Sequence, residues 1–206
     1  MKLITKSWGT QSDIEKPEFK RLIKQLKIIP WSRIWEWPFV ILNSDIKKGL
    51  RVLDVGCVGS IMAKYCIQKG CETHGIDIDN HSLPGLNFKK ADVRNTPYKA
   101  NYFDRIFCIS VIEHIWDSPL SSLEELLRIL KPGGRLALTT DINREESSFL
   151  FHQPNFDGLV GEALGFETGK IPEDVLKSED SKIGIVCGHG LSVYGFVVEK
   201  DLWWKK

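Results

Sequence analysis

The apolar positions fall into two periodicities that divide the chain. From Pro17 to Ile29, Phe19, Leu22, Ile23, Leu26 and Ile29 recur at three- and four-residue steps, the spacing of one stripe of an amphipathic helix. An aromatic stretch follows, Trp31, Trp35, Trp37 and Phe39, whose area must be buried against a main body or cover a pocket. Short apolar runs then alternate with helical patterns. Arg51 to Val55 reads as a strand ended by Gly56, and a helical run from Ser60 to Lys69 stops at Gly70. Glu72 to Asp77 predicts a second strand, Phe88 to Asp92 a third, and Phe103 to Ser110 a fourth buried on both faces. After Pro119 a helix carries Leu123, Leu126, Leu127 and Leu130, with Ser121 and Glu124 spaced as a capping box. Lys131-Pro132-Gly133-Gly134 stops it before a fifth strand, Arg135 to Thr140.

This alternation implies right-handed crossovers and a mostly parallel sheet with helices on both faces. Near the end the order changes. Lys182 to Cys187 and Leu191 to Lys200 are strand-like runs joined by Gly188-His189-Gly190, a connection short enough only for a hairpin, so an antiparallel strand is expected. A helix is expected near Phe156 to Leu164. The 206 residues suit one compact domain. With 28 Lys and Arg against 27 Asp and Glu, there is no broad basic field to hold a nucleic acid. No run of apolar residues reaches the ~18 needed to cross a membrane, and a soluble cytoplasmic protein is expected. The five cysteines are odd in number and lack a C-x-x-C pair, which suits buried structural thiols.

In an open parallel sheet, ligands bind beyond the carboxyl ends of the strands. Three of the first four ends carry an aspartate: Asp54, Asp77 and Asp92. The turn Asp54-Val55-Gly56-Cys57-Val58-Gly59-Ser60 offers glycines for close backbone approach and free N–H groups at a helix start. Asp77 stands 21 residues after Gly56, near the ~20 that separate a nucleotide-binding turn from the carboxylate taking a ribose diol.

These residues, together with Ala91-Asp92-Val93, the run from Phe103-Asp104 to Ser110-Val111-Ile112-Glu113-His114-Ile115, and Leu130-Lys131-Pro132-Gly133-Gly134, resemble the motifs of the class I S-adenosylmethionine-dependent methyltransferases, in particular the type 11 small-molecule enzymes. The resemblance covers residues 50–140. It implies an α/β, Rossmann-like sheet of seven strands, mostly parallel with the last antiparallel, over residues 50–206, preceded by a helical extension, residues 1–49, that could serve as a lid. It also implies that Gly56, Cys57, Val58 and Gly59 approach the methionine part of the cofactor, and that Asp54 and the backbone near Ser110 hold its ammonium. Asp77 would take the ribose hydroxyls, Ile78 the adenine face, and Asp92 with Val93 the adenine amino edge. His114 is the candidate general base, its ordinary pKa of about 6.5 suiting neutral pH. Some quinone-pathway relatives bind a metal through Glu-x-x-Glu-His, but Ser110 stands at the first position, so no metal is expected. The expected partner is a small-molecule methyl acceptor. Val58 departs from the usual glycine spacing, so either Gly59 shifts the turn or the pocket is altered. An inactive binding module and a nicotinamide-dependent oxidoreductase are the alternatives; the latter lacks a Gly-x-Gly-x-x-Gly turn.

Overall fold

A computed structural model describes residues 1–29, 33–115, 117–143, 151–170 and 191–202. The strands are β1 (Lys2–Trp8), β2 (Arg51–Val55), β3 (Glu72–Asp77), β4 (Leu86–Lys90), β5 (Phe103–Ile109), β6 (Leu130–Asn143), β7 (Phe151–His152) and β8 (Leu191–Glu199). The helices are α1 (Gln11–Glu15), α2 (Pro17–Leu26), α3 (Arg33–Asn43), α4 (Met62–Gln68), α5 (Pro119–Ile129) and α6 (Gln153–Leu164). The sheet runs β1-β8-β6-β5-β2-β3-β4, with the two-residue β7 beside β6. β2, β3, β4, β5 and β6 are parallel, and β8 is antiparallel to both β6 and β1. Along that order six strands therefore share one direction and β8 opposes them, as the resemblance implies, and β7 is also parallel to β6.

Period-two alternation along the central strands builds two apolar layers. Leu53, Val55, Ile106, Cys108, Leu136 and Leu138 face α5 and α6, packing with Leu123, Leu126, Phe156 and Val160. Val52, Phe107, Ile109, Ala137, Val193 and Val197 face the other way, onto Phe19, Leu22, Trp35, Phe39, Met62 and Cys66. These central strands are covered on both sides, which is why their runs read as continuously apolar.

Several local expectations change. The extension is not helical throughout: it opens with β1, which pairs with β8 from Lys2 opposite Glu199 to Trp8 opposite Tyr194. Only Trp8 of that strand is fully buried, so its alternation is too weak to stand out against a polar terminus. α2 ends at Leu26 because Lys27 turns left-handed (φ 52°), leaving Ile29 exposed beyond it. The capping box at α5 does not form; the cap position is Ser118, and the Ser121 hydroxyl donates back to the Ser118 carbonyl at 2.9 Å. β4 ends at Lys90, so Asp92 lies in the following turn. The run Lys182 to Cys187 and its hairpin turn, as well as Trp31, lie outside the described residues; β8 itself is antiparallel as expected.

Candidate functional site

Two adjoining cavities, of about 420 and 250 Å³, open over the carboxyl ends of β2, β3 and β5. Arg33, Val55, Gly56, Val58 and Ile109 line both. The larger continues along Asp77, Ile78, Asp92 and Val93 to Ser110, His114 and Asp117; the smaller is closed by Trp37, Asp54, Gly59 and Ser60.

The turn after β2 explains the glycines. Gly56 has φ +66°, and a Cβ there would lie 2.5 Å from a methyl of Val111, so both conformation and space demand glycine. Gly59 is also left-handed, at φ +77°. Val58 is not among the residues of positive φ, and its side chain stands in the open at the cavity wall. Gly59 thus supplies the freedom that the usual spacing would place one residue earlier. The Val58 N–H donates to Asp77 Oδ2 at 3.0 Å, and the Asp79 N–H to Oδ1 at 3.0 Å, so Asp77 pins the turn from the end of β3. The Cys57 side chain points away from the cavities, under the turn, where its sulfur would meet a Cβ on Gly75 at 2.7 Å. Burial pushes its thiol up to about 12.

Asp54 is fully buried and accepts the Ala63 N–H at 3.1 Å, closing one of the open donors at the start of α4, while Ser60 Oγ accepts from Met62 at 3.1 Å. Desolvation, augmented by the Asp77 charge, raises the Asp54 pKa to about 7. Ile78 is 68% exposed on the wall of the larger cavity, an apolar face held in solvent. Asp92 is clasped by Arg94. Its Oδ1 accepts the Arg94 backbone N–H and Nε at 2.8 and 2.9 Å, and its Oδ2 accepts Nε and Nη2 at 3.1 and 2.6 Å. Those four bonds occupy the roughly four acceptor sites of a carboxylate. Arg94 also reaches Asp117 at 2.6 Å.

His114 ends a short 3₁₀ turn (Ile112–His114) at the rim of the larger cavity. Partial burial, together with the charge of Arg33, lowers its pKa below 6.5, which keeps the ring neutral at pH 7. Glu113, beside it, turns inward: Oε1 accepts the Asp141 N–H at 3.2 Å, and Oε2 is buried without a partner among the described residues. Desolvation, then the Asp141 charge, pushes Glu113 up to about 8.

One cluster was invisible in the sequence. Ser110, at φ +46°, accepts from Arg33 Nη1 at 2.5 Å and donates to Glu36 Oε1 at 2.6 Å. The Thr139 hydroxyl donates to the same oxygen at 2.5 Å, and Arg33 pairs with Oε2. Glu36 is completely buried. The only sequence signal was one acid set between Trp35 and Trp37 on an otherwise apolar helix. Trp35 itself packs on the sheet, stacked on Phe39 with its Nε1 donating to Asp13 at 2.8 Å, and Trp37 reaches the smaller cavity.

Residues 53–138 match a family model described as a methyltransferase domain. The chain is 34% identical over 116 residues to the ubiquinone biosynthesis O-methyltransferase of Paracidovorax citrulli, covering 50% of this chain and 48% of that protein, and 30% identical over 116 residues to that of Alkalilimnicola ehrlichii, covering 50% of this chain and 46% of that protein. It thus spans about half the length of the curated relatives it matches. Among solved structures, a SAM-dependent methyltransferase from Aquifex aeolicus superposes with a TM-score of 0.54 at 21% identity, covering 87% of this chain and 97% of that one. The [4+2]-cyclase SpnF superposes equally well, with a TM-score of 0.54 at 17% identity over 79% of each chain, so the fold by itself does not fix the reaction. Among the described residues no helix is long and apolar enough to cross a membrane. The matched model and the relatives show a methyltransferase domain at residues 53–138, and the strand order gives it the fold of the SAM-dependent methyltransferase on which it superposes.

Proposed function

We propose that the protein transfers the methyl group of S-adenosylmethionine to an oxygen of a small molecule. The observation that carries this reading is the pairing of the left-handed turn Gly56–Gly59 with Asp77 across the mouth of a cavity whose other end is set by Arg33. The fit is chemical. A volume of about 420 Å³ lies in the ~300–1,000 Å³ range of ligand pockets. Asp77 spends two of its roughly four acceptor sites on backbone and keeps two for the two donors of a ribose diol. Ile78 offers the adenine an apolar face, and the Val93 backbone its edge. Asp92 would meet the adenine amino group only as Arg94 yields a bond. In the smaller cavity the acid Asp54 and the base Arg33 suit the ammonium and carboxylate of an amino acid, with Gly56 and Gly59 clearing the approach of the chain between them. The Cys57 side chain takes no part. Ser110 orients Arg33 and lines the larger cavity beside the site of transfer.

The bound cofactor supplies an electrophilic methyl on a sulfonium, so the protein's work is alignment and exclusion of water. His114, neutral at pH 7 and at the rim, takes the proton that the acceptor hydroxyl loses as the carbon–oxygen bond forms. An oxygen acceptor is supported by the names of the relatives at 30–34% identity, both O-methyltransferases. α3, which brings Arg33 and Trp37 to the cavities, acts as the wall that shields this zone.

Calorimetry with S-adenosylhomocysteine and with NAD tests the pocket, and transfer of labelled methyl to a panel of small phenols tests the reaction. Tighter binding of NAD would refute the cofactor assignment. Tight binding of S-adenosylhomocysteine with no transfer to any acceptor would favour the binding-module alternative.

A further inference from the structure

We infer that Glu36 is a positioning residue for the cofactor's amino-acid end, acting through Arg33. The inference rests on the cofactor reading above and assigns a role to a side chain that touches neither cavity.

Glu36 collects donors from three separate parts of the chain. Arg33, one turn earlier on α3, holds Oε2; Ser110 at the end of β5 and Thr139 on β6 share Oε1, at 2.6 and 2.5 Å. A fully buried carboxylate is costly unless such bonds replace its water, and at a purely structural site an apolar side chain would pack as well or better. What the carboxylate adds is direction. Arg33 is flanked by other acids, since the charges of Glu113 and Asp141 also act on it. Without Glu36 the guanidinium loses the ion pair that fixes it and is free to leave the junction of the two cavities. With Glu36, one nitrogen of the planar fork is fixed between Glu36 and Ser110, and the remaining donors are free to face the cavity. Ser110 is held by the same bonds in a left-handed conformation that a non-glycine residue adopts only at a cost, so Glu36 also sets the backbone where β5 meets the larger cavity. The extension is thereby joined to the catalytic face by a buried polar lock as well as by apolar packing.

Two nucleosides separate this role from general stability. S-Adenosylhomocysteine carries the amino-acid end; 5′-methylthioadenosine lacks it and keeps the adenosine. Titration calorimetry of both is run on the parent chain, Glu36→Gln, Arg33→Met and the double variant, with thermal melts alongside. The expected result is that Glu36→Gln weakens S-adenosylhomocysteine roughly ten- to a hundredfold, the worth of about one charge-assisted bond, while 5′-methylthioadenosine changes less than twofold. The double variant should bind S-adenosylhomocysteine no more weakly than Arg33→Met alone, since Glu36 acts through Arg33. Should Glu36→Gln not fold, Ser110→Ala and Thr139→Val each remove one donor to Oε1 and are expected to give the same selective loss, smaller in size. Equal weakening of both nucleosides, unchanged affinity for S-adenosylhomocysteine, or an additive double variant would overturn the inference. Failure of the parent chain to bind either nucleoside would overturn the cofactor reading itself, a result distinct from each of these.

Discussion

Replacing Asp77 with alanine is the sharpest perturbation of the proposed pocket, because its carboxylate has two separable duties. It accepts the Val58 and Asp79 N–H groups, both at 3.0 Å, and these bonds fix the turn after β2. Two acceptor sites remain for the ribose diol. Charge-assisted bonds contribute roughly 1.5–3 kcal/mol each, so two would reach about 3–6 kcal/mol. Asp77 is only half-buried, and water competes for it, so an affinity loss of about 2–4 kcal/mol is expected, roughly 30- to 1,000-fold in Kd. Asp77→Asn separates the duties. It keeps an oxygen for the Val58 N–H but loses the charge and one acceptor, and should fall between the parent and Asp77→Ala. The assay is calorimetric titration with S-adenosylhomocysteine, paired with a thermal melt to isolate loosening of the turn. If Asp77→Ala binds within about threefold of the parent while folded, the pocket lies elsewhere and the assignment of the β3 end to the ribose is wrong.

Asp92→Ala should weaken the same ligand by less than Asp77→Ala, because Arg94 already occupies the Asp92 acceptor sites; a larger loss would mean that Arg94 releases the carboxylate on binding. Gly195→Ala would place a Cβ 2.7 Å from Phe39 and 3.0 Å from the Thr139 methyl, forcing α3 off β8, and should cost about 1–3 kcal/mol in a denaturant or thermal melt. Glu113 has its pKa raised to about 8 by burial and by Asp141, with Glu36 and Arg33 also facing it. The folded state therefore holds a proton that the unfolded chain gives up near 4.5, so this contribution to stability is complete below pH 4.5 and is lost as pH rises toward 8. Glu113→Gln should remove the loss, making the variant more stable relative to the parent by on the order of 2 kcal/mol at pH 8 compared with pH 5; parallel pH–stability curves would refute it. Hydrogen exchange across residues 33–42 should slow on saturation with S-adenosylhomocysteine if α3 closes over the ligand, and unchanged protection would leave α3 as static packing.

What was legible in the sequence was local. A strand ended by Asp54 and Gly56, a second ended by Asp77, and a helix stopped by Gly70 each declare themselves within a few residues, because left-handed φ, close approach and helix termination are properties of one turn of chain. The Val58 departure resolved locally too, in the left-handed Gly59. β1 was not legible, since it forms at the sheet edge opposite a strand nearly two hundred residues away, and one buried residue in seven leaves little alternation to read. Ser121 and Glu124 had the right spacing for a capping box but the wrong position, because Pro119 starts the helix one residue after Ser118.

The same distinction explains why the cation of the site was missed. Glu36 meets Ser110 across 74 residues and Thr139 across 103, and Arg33 meets Ser110 across 77. No window on the sequence spans such contacts; only the sheet, by setting β5 beside β6 and α3 above both, brings them together. The aromatic residues flanking Glu36 divide their work: Trp35 is buried against the sheet, and Trp37 reaches the smaller cavity. The informative residue was the acid among them, because a charge placed on the buried stripe of a helix must find partners, and finding three from separate elements ties those elements to one point. That point lies beside the proposed methionine subsite. A boundary drawn at residue 49 therefore separates the chain by its motif content but would cut the proposed site, since Arg33 lines both cavities from the near side of that line.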